Sequence, residues 1–97
     1  MNKVLTIIAR FEAKPDKIEH VKTALLKLIE PTRKEVGCLQ YDLHQDNNNP
    51  EIFVFYENWE SRALWQTHMN SEHLNACKEE TVGTIESFIL NEMSTIA

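Results

Sequence analysis

The sequence predicts an α+β fold, with one domain in which a four-stranded antiparallel sheet carries helices on one face. Two patterns predict it: short segments rich in Val, Ile, Thr and Phe are typical of strands, and apolar residues spaced by three and four are typical of helices. They follow one another as strand, helix, strand, strand, helix pair, strand, which is the order of the split βαβ, ferredoxin-like arrangement. Residues 1–97 contain no repeat and no flexible linker, so we predict a single domain.

The first half of the chain predicts a strand, a helix and a second strand. Val4 to Glu12 is rich in strand-forming residues and ends at a Lys-Pro-Asp turn. The next segment has helical spacing, and Pro31 is expected to kink or end the first part of that helix. Gly37 is a natural residue to follow the helix, and Cys38 to Gln45 then alternates as a strand does. The apolar stripe of the helix comprises Ile18, Val21, Leu25, Leu28 and Ile29.

The second half predicts a third strand, two helices and a fourth strand. A turn at residues 46–50 leads into Ile52 to Tyr56, where every residue is apolar or aromatic. Ser61 is placed to cap a helix from Arg62 to Met69, and Asn70 and Ser71 separate it from a second helix that starts near Glu72. Phe88 to Ile96 predicts the last strand. An apolar stripe is expected to continue the second helix to about residue 86, through Gly83, and comprises Leu74, Cys77, Thr81, Ile85 and Phe88.

The unbroken apolar run in the third strand also predicts the oligomeric state. Such a run fits a strand that is covered on both faces, whereas the helices can cover only one face of the sheet. A chain of 97 residues is too short to supply a second covering layer. We therefore expect a homodimer in which two sheets pack face to face, forming a dimeric α+β barrel.

Composition excludes several classes of function. The net charge is −5 and no cluster of Lys and Arg stands out, so nucleic acid is not an expected partner. The first apolar run, Val4 to Ala9, is broken by Arg10 and Glu12, which excludes a signal peptide or membrane span and predicts a cytoplasmic protein with reduced Cys38 and Cys77. The chain has no Gly-rich phosphate loop and no set of metal ligands at fixed spacing, so we expect neither cofactor nor metal.

The segment GCLQYDLHQDNNNPEIFVFYENWESRALWQTHMNSEHL, residues 37–74, resembles the antibiotic biosynthesis monooxygenase (ABM) domain family. The resemblance rests on an aromatic strand, a Trp-Glu-Ser step, a His near the end of the next helix and a Ser-x-His that opens the following one. It implies a dimeric α+β barrel and cofactor-independent oxygenation of a small quinol-like or polycyclic aromatic substrate by O2. Similar families degrade haem or isomerise a phosphorylated autoinducer, and the residues at the haem-handling positions of this chain do not match.

The same resemblance implies a set of substrate-binding residues. Trp59 and Trp65 match two aromatic residues that line the cavity of anthrone-oxidising members, and Lys78 stands near a basic position of that site. Phe55 occupies the position of an Asn in those members. Tyr41 and His44 fall in the second strand, which also builds the pocket of the family.

Cofactor-free oxygenation needs an anionic substrate, and His is the ordinary base for removing a phenolic proton. His68 and His73 are the candidate bases. Three alternatives remain at this point. The histidines and tryptophans can be purely structural, a basic residue such as Lys78 or Arg62 can anchor the phosphate of an isomerase substrate, or the pocket can bind a hydrophobic metabolite without catalysis. A His73–Cys77 thiolate pair is disfavoured, because Cys77 lies on the apolar stripe.

Overall fold

A computed structural model describes residues 3–97, and their backbone forms four strands and four helices. In chain order these are β1 (Leu5–Ala13), α1 (Ile18–Leu26), α2 (Ile29–Arg33), β2 (Cys38–Gln45), β3 (Ile52–Trp59), α3 (Arg62–Met69), α4 (Glu72–Glu80) and β4 (Ile85–Met93). None of these helices is long and apolar enough to cross a membrane.

The four strands form one antiparallel sheet in the order β2-β3-β1-β4, which confirms the predicted fold class. Every second residue of each strand points toward the helices. Ala9, for example, lies between Phe55 on β3 and Leu90 on β4, and all three side chains share that face. The core fills the space between this face and the helices, and its largest fully buried side chains are Trp59, Tyr41, Phe53, Phe55, Ile7 and Leu25.

Serine caps position the two helices that follow β3. The Ser61 hydroxyl accepts a hydrogen bond from the Leu64 N–H at 3.2 Å, and the Ser71 hydroxyl accepts one from the Leu74 N–H at 3.3 Å. Each cap satisfies a backbone donor that the first turn of a helix leaves unpaired. The predicted break between α3 and α4 is therefore confirmed.

Gly37 is required where the chain enters β2. Its φ of +88° lies in the left-handed region, and a Cβ placed there would come within 2.5 Å of the Leu64 Cδ1 atom on α3. The Gly37 carbonyl also accepts a hydrogen bond from the Glu60 N–H at 2.8 Å. The absence of a side chain thus lets the β2 entry pack directly against α3.

The predicted boundary between the last helix and strand is wrong. α4 ends at Glu80 rather than near residue 86, and β4 runs over Ile85–Met93 rather than from Phe88 to Ile96. The Thr81 hydroxyl donates to the Cys77 carbonyl at 2.9 Å, and Gly83 turns the chain with a φ of +76°. The predicted helix was too long because apolar residues on both sides of this turn face the same cavity, so their helical spacing continues across it.

No element of residues 3–97 covers the sheet face away from the helices. Its apolar side chains lie on three adjacent strands, where Ile8 pairs with Tyr56 and Arg10 lies between Val54 and Ile89. Ile89 is 50% exposed and Tyr56 is 37% exposed. The thinnest dimension of the domain is 18 Å, which fits one sheet and one layer of helices.

We propose that a second copy of this chain covers that face, as the sequence predicts for a dimeric barrel. Sedimentation at micromolar concentration should then give twice the chain mass of 11.3 kDa. Ile89→Lys places a charge on the apolar face and should yield a folded monomer, because an unpaired buried charge destabilises an interface. Val82→Lys is the matched control, since Val82 is 77% exposed and lies in the turn before β4. A wild-type monomer would contradict the proposal.

Candidate active site

A cavity of about 320 Å³ lies between the sheet and helices α3 and α4. Its wall is mostly apolar and aromatic, and the polar exceptions include Glu57, His68 and Lys78. An apolar cavity with a few convergent polar groups is the usual form of a small-molecule site. The lining residues are Ala9, Phe11, Leu28, Tyr41, Phe55, Glu57, Trp65, His68, Met69, Leu74, Cys77, Lys78, Thr81, Ile85, Phe88 and Leu90.

His68 stands in this wall with one ring nitrogen held by a carboxylate. Its side chain is buried at the end of α3, and its Nδ1 lies 2.6 Å from Oε2 of Glu35. The same oxygen lies 2.8 Å from Nε2 of His73 on α4. One carboxylate therefore joins the segment before β2 to both helices. If it accepts the Nδ1–H of His68, the basic lone pair of the neutral ring is on Nε2.

Burial controls the charge of His68. Desolvation lowers its pKa below the usual histidine value, although the Glu35 carboxylate acts in the opposite direction. His73 and Lys78 add smaller effects that also lower this pKa. His68 is consequently neutral near pH 7 and able to accept a proton.

Glu57 on β3 is a second ionisable group in the cavity wall, and it is only 4% exposed. Burial raises its pKa to about 7, partly offset by a hydrogen bond from the Trp59 indole N–H, which is 2.9 Å from Oε1 of Glu57. The charge of Glu35 raises this pKa slightly further. Glu57 can therefore exchange a proton near neutral pH.

The predicted aromatic residues take two different positions. Tyr41, Phe55 and Trp65 line the cavity, as expected of substrate-binding residues. Trp59 does not line it. Its indole is fully buried behind the wall, with its ring centroid 4.9 Å from that of His68, so it supports the imidazole and Glu57 instead.

The remaining predicted residues are distributed around the site. Lys78 lines the cavity from α4, whereas His44 is exposed on β2 and lies outside the lining. His73 also lies outside the lining and meets the site through Glu35. Arg62 pairs with Glu92 at 2.7 Å, away from the cavity. Burial raises the pKa of Cys77 to about 11, which favours the inert thiol over a thiolate pair with His73.

Within residues 3–97, the structure brings together three side chains of the kinds that bind metals: Glu35, His68 and His73. The sequence shows no set of metal ligands at fixed spacing, because Glu35 is 33 and 38 residues away from the two histidines. The Glu35 oxygen is at hydrogen-bond distance from both rings, so an ion bound by these three side chains would have to break both hydrogen bonds. The trio as it stands is a hydrogen-bonded unit, and the expectation of no metal remains a prediction.

Glu35 and Glu57 were not predicted as site residues. Glu35 precedes β2 among other charged residues, so its sequence position resembles that of any exposed glutamate. The sequence does indicate Glu57, because alternation along β3 places it on the helix-facing side together with Phe53, Phe55 and Trp59. A charged residue at a core position of a strand is a functional candidate that alternation alone can identify.

Residues 4–80 match the model of the family described as "Antibiotic biosynthesis monooxygenase", and the chain belongs to this family. In Mycobacterium tuberculosis, "Putative monooxygenase Rv0793" is 36% identical over 73 residues, which are 75% of this chain and 71% of that protein. In Escherichia coli, "Probable quinol monooxygenase YgiN" is 29% identical over 94 residues, which are 84% of this chain and 88% of that protein. These names support an enzyme of the monooxygenase type.

The fold is shared with solved structures of similar proteins. PA3566 from Pseudomonas aeruginosa superposes with a TM-score of 0.95 at 33% identity, covering 100% of this chain and 98% of that one. The chain spans about half the length of one relative, since the match to a Synechocystis protein that is 29% identical covers 79% of this chain and 52% of that protein.

The raised pKa of Glu57 makes stability depend on pH. The native state retains the proton up to about pH 7, whereas the unfolded chain releases it near pH 4.5, so this contribution to stability is full below pH 4.5 and is lost as the pH rises through 7. Glu57→Gln removes the titration. Relative to this variant, the wild type should lose about 3 kcal/mol of unfolding free energy between pH 4.5 and 8. Urea denaturation at both pH values would measure it, and parallel curves for the two proteins would contradict the assignment.

Proposed function

We propose that the protein is a cofactor-independent monooxygenase that oxidises a small quinol-like aromatic substrate with O2. The observation that carries the proposal is the buried, carboxylate-held imidazole of His68 in the wall of an apolar cavity. The family membership and the name of the E. coli relative support the reaction class.

His68 would begin the reaction by taking a phenolic proton. The Nε2 lone pair accepts that proton, and the nearby Glu35 carboxylate stabilises the imidazolium that forms. The bound phenolate is electron-rich enough to reduce O2. Transfer of one oxygen atom to a ring carbon and loss of two further electrons and two protons give a hydroxylated quinone, and the second oxygen atom leaves as water. The apolar wall excludes bulk water, which strengthens the electrostatic interactions at the anion.

Glu35 and His73 act on this reaction as positioning residues. Glu35 fixes the ring of His68, and His73 holds the same carboxylate oxygen from the opposite helix. His73 is itself outside the cavity lining, which favours His68 over His73 as the base.

Two alternatives receive different support. Non-catalytic binding of a hydrophobic metabolite is favoured by the apolar lining itself. An isomerase of a phosphorylated metabolite would need a basic anchor, and the ion pair of Arg62 with Glu92 leaves Lys78 as the cationic side chain in the lining formed by residues 3–97. Oxygen consumption with a panel of quinols separates the proposed oxygenase from both.

His68→Ala should lower turnover by about 10²–10⁴ fold, the usual share of general-base catalysis. The wild-type rate should rise with pH through an apparent pKa below 6.5, because burial lowers the pKa of His68. That rise should disappear in the variant. An oxygen electrode measures both effects.

His44→Ala is the matched control, since His44 is exposed and outside the cavity, and it should leave the rate unchanged. His73→Ala should reduce the rate less than His68→Ala does. Full activity in His68→Ala together with a loss in His73→Ala would transfer the role of base to His73.

A further inference from the structure

Glu57 is a buried carboxyl for which the proposed reaction has no use. Its Oε1 accepts the Trp59 indole N–H, whereas Oε2 has no hydrogen-bond partner among residues 3–97. Among residues 3–97, Oγ1 of Thr32 is the only side-chain nitrogen or oxygen that is both fully buried and without a hydrogen-bond partner. Oε2 of Glu57 is therefore not fully buried. Because Glu57 lines the cavity, its second oxygen is available to a molecule bound there.

An unpartnered carboxyl oxygen in an apolar cavity is costly. Removing a polar group from water without a replacement hydrogen bond is unfavourable, and more so if the group is charged. Water can offset this cost in the empty cavity, and a ligand that displaces the water must provide a hydrogen bond of its own. The cavity therefore favours ligands that place a polar hydrogen at Glu57.

His68 offers the second such atom. Its Nδ1 is occupied by Glu35, and its Nε2 has no partner among residues 3–97. Trp59 contacts both groups, because its ring centroid lies 4.9 Å from that of His68 and its indole N–H donates to Glu57. The Thr81 hydroxyl in the same lining is already used, because it donates to the Cys77 carbonyl.

We propose that Glu57 is a ligand-binding residue that, together with His68, selects aromatic ligands with two hydroxyl groups over ligands with one. The part of this proposal that concerns His68 rests on the proposed function. The hydrogen bond between Glu57 and the ligand is a binding property, and it can be measured without turnover. A hydroxyl both donates and accepts, so either protonation state of Glu57 can bond it. A methyl ether has no proton to donate and cannot bond the ionised carboxylate.

Calorimetric titration without oxygen tests the proposal with 1,4-dihydroxynaphthalene and 4-methoxy-1-naphthol as probes. At pH 8, where Glu57 is mostly ionised, the wild type should bind the diol about tenfold more tightly than the ether, as one hydrogen bond to a charged group predicts. Glu57→Leu should bind both probes with equal affinity. Glu57→Gln keeps a polar group of the same shape and should retain part of the preference, so it serves if the Leu variant does not fold.

Glu79→Leu is the matched control, because Glu79 is exposed on α4 and outside the cavity, and it should keep the wild-type preference. Equal affinity of the wild type for both probes, binding of neither probe, or a preference that survives in Glu57→Leu would each overturn the proposal. A preference that depends on Glu57 in a protein that consumes no oxygen would instead refute the proposed function and leave this inference standing.

Discussion

The hydrogen bonds of the Glu35 carboxylate connect the parts of the molecule that build the site. A single oxygen contacts His68 on α3 and His73 on α4, and Glu35 itself belongs to the segment between α2 and β2. The segment before β2 thus meets two consecutive helices at one carboxylate, although its partners lie 33 and 38 residues further along the chain. A partly buried carboxylate shared by two imidazoles is stable only while both rings remain in place, so the helices and the entry to β2 are fixed relative to one another.

Trp59 has the corresponding role on the sheet side. Its ring is fully buried, lies beside His68 and donates to Glu57, so it links two ionisable groups of the cavity wall. The pKa values of these groups move in opposite directions, because burial disfavours whichever form is charged. A neutral base and a carboxyl that titrates near pH 7 result from the same desolvation.

The sequence predicted the architecture more fully than the site. Strand and helix order follow from local patterns, and the caps at Ser61 and Ser71 fixed two helix starts. His68, Tyr41, Phe55, Trp65 and Lys78 were predicted to belong to the cavity and do line it. Glu35 could not be found in this way, since its partners are 33 and 38 residues away and no local pattern encodes that pairing. His44 was assigned to the pocket through the resemblance alone, and strand alternation places it opposite to Tyr41.

The position of the cavity beneath α4 has a consequence for local stability. Cys77 is the one buried residue of α4, whereas α1 buries Val21, Ala24 and Leu25. Much of the apolar side of α4 thus faces the cavity instead of packed core. Its polar ties to α1 and the residue after α1 are exposed: His20 Nε2 lies 2.6 Å from the Glu80 carbonyl, and Lys27 pairs with the Glu80 carboxylate at 3.2 Å. A helix with so few buried contacts is expected to open at a lower free energy than global unfolding requires, and its opening breaks the His73–Glu35 hydrogen bond. Within the cavity wall, α4 is therefore the element that local unfolding is expected to release first, while the sheet remains intact.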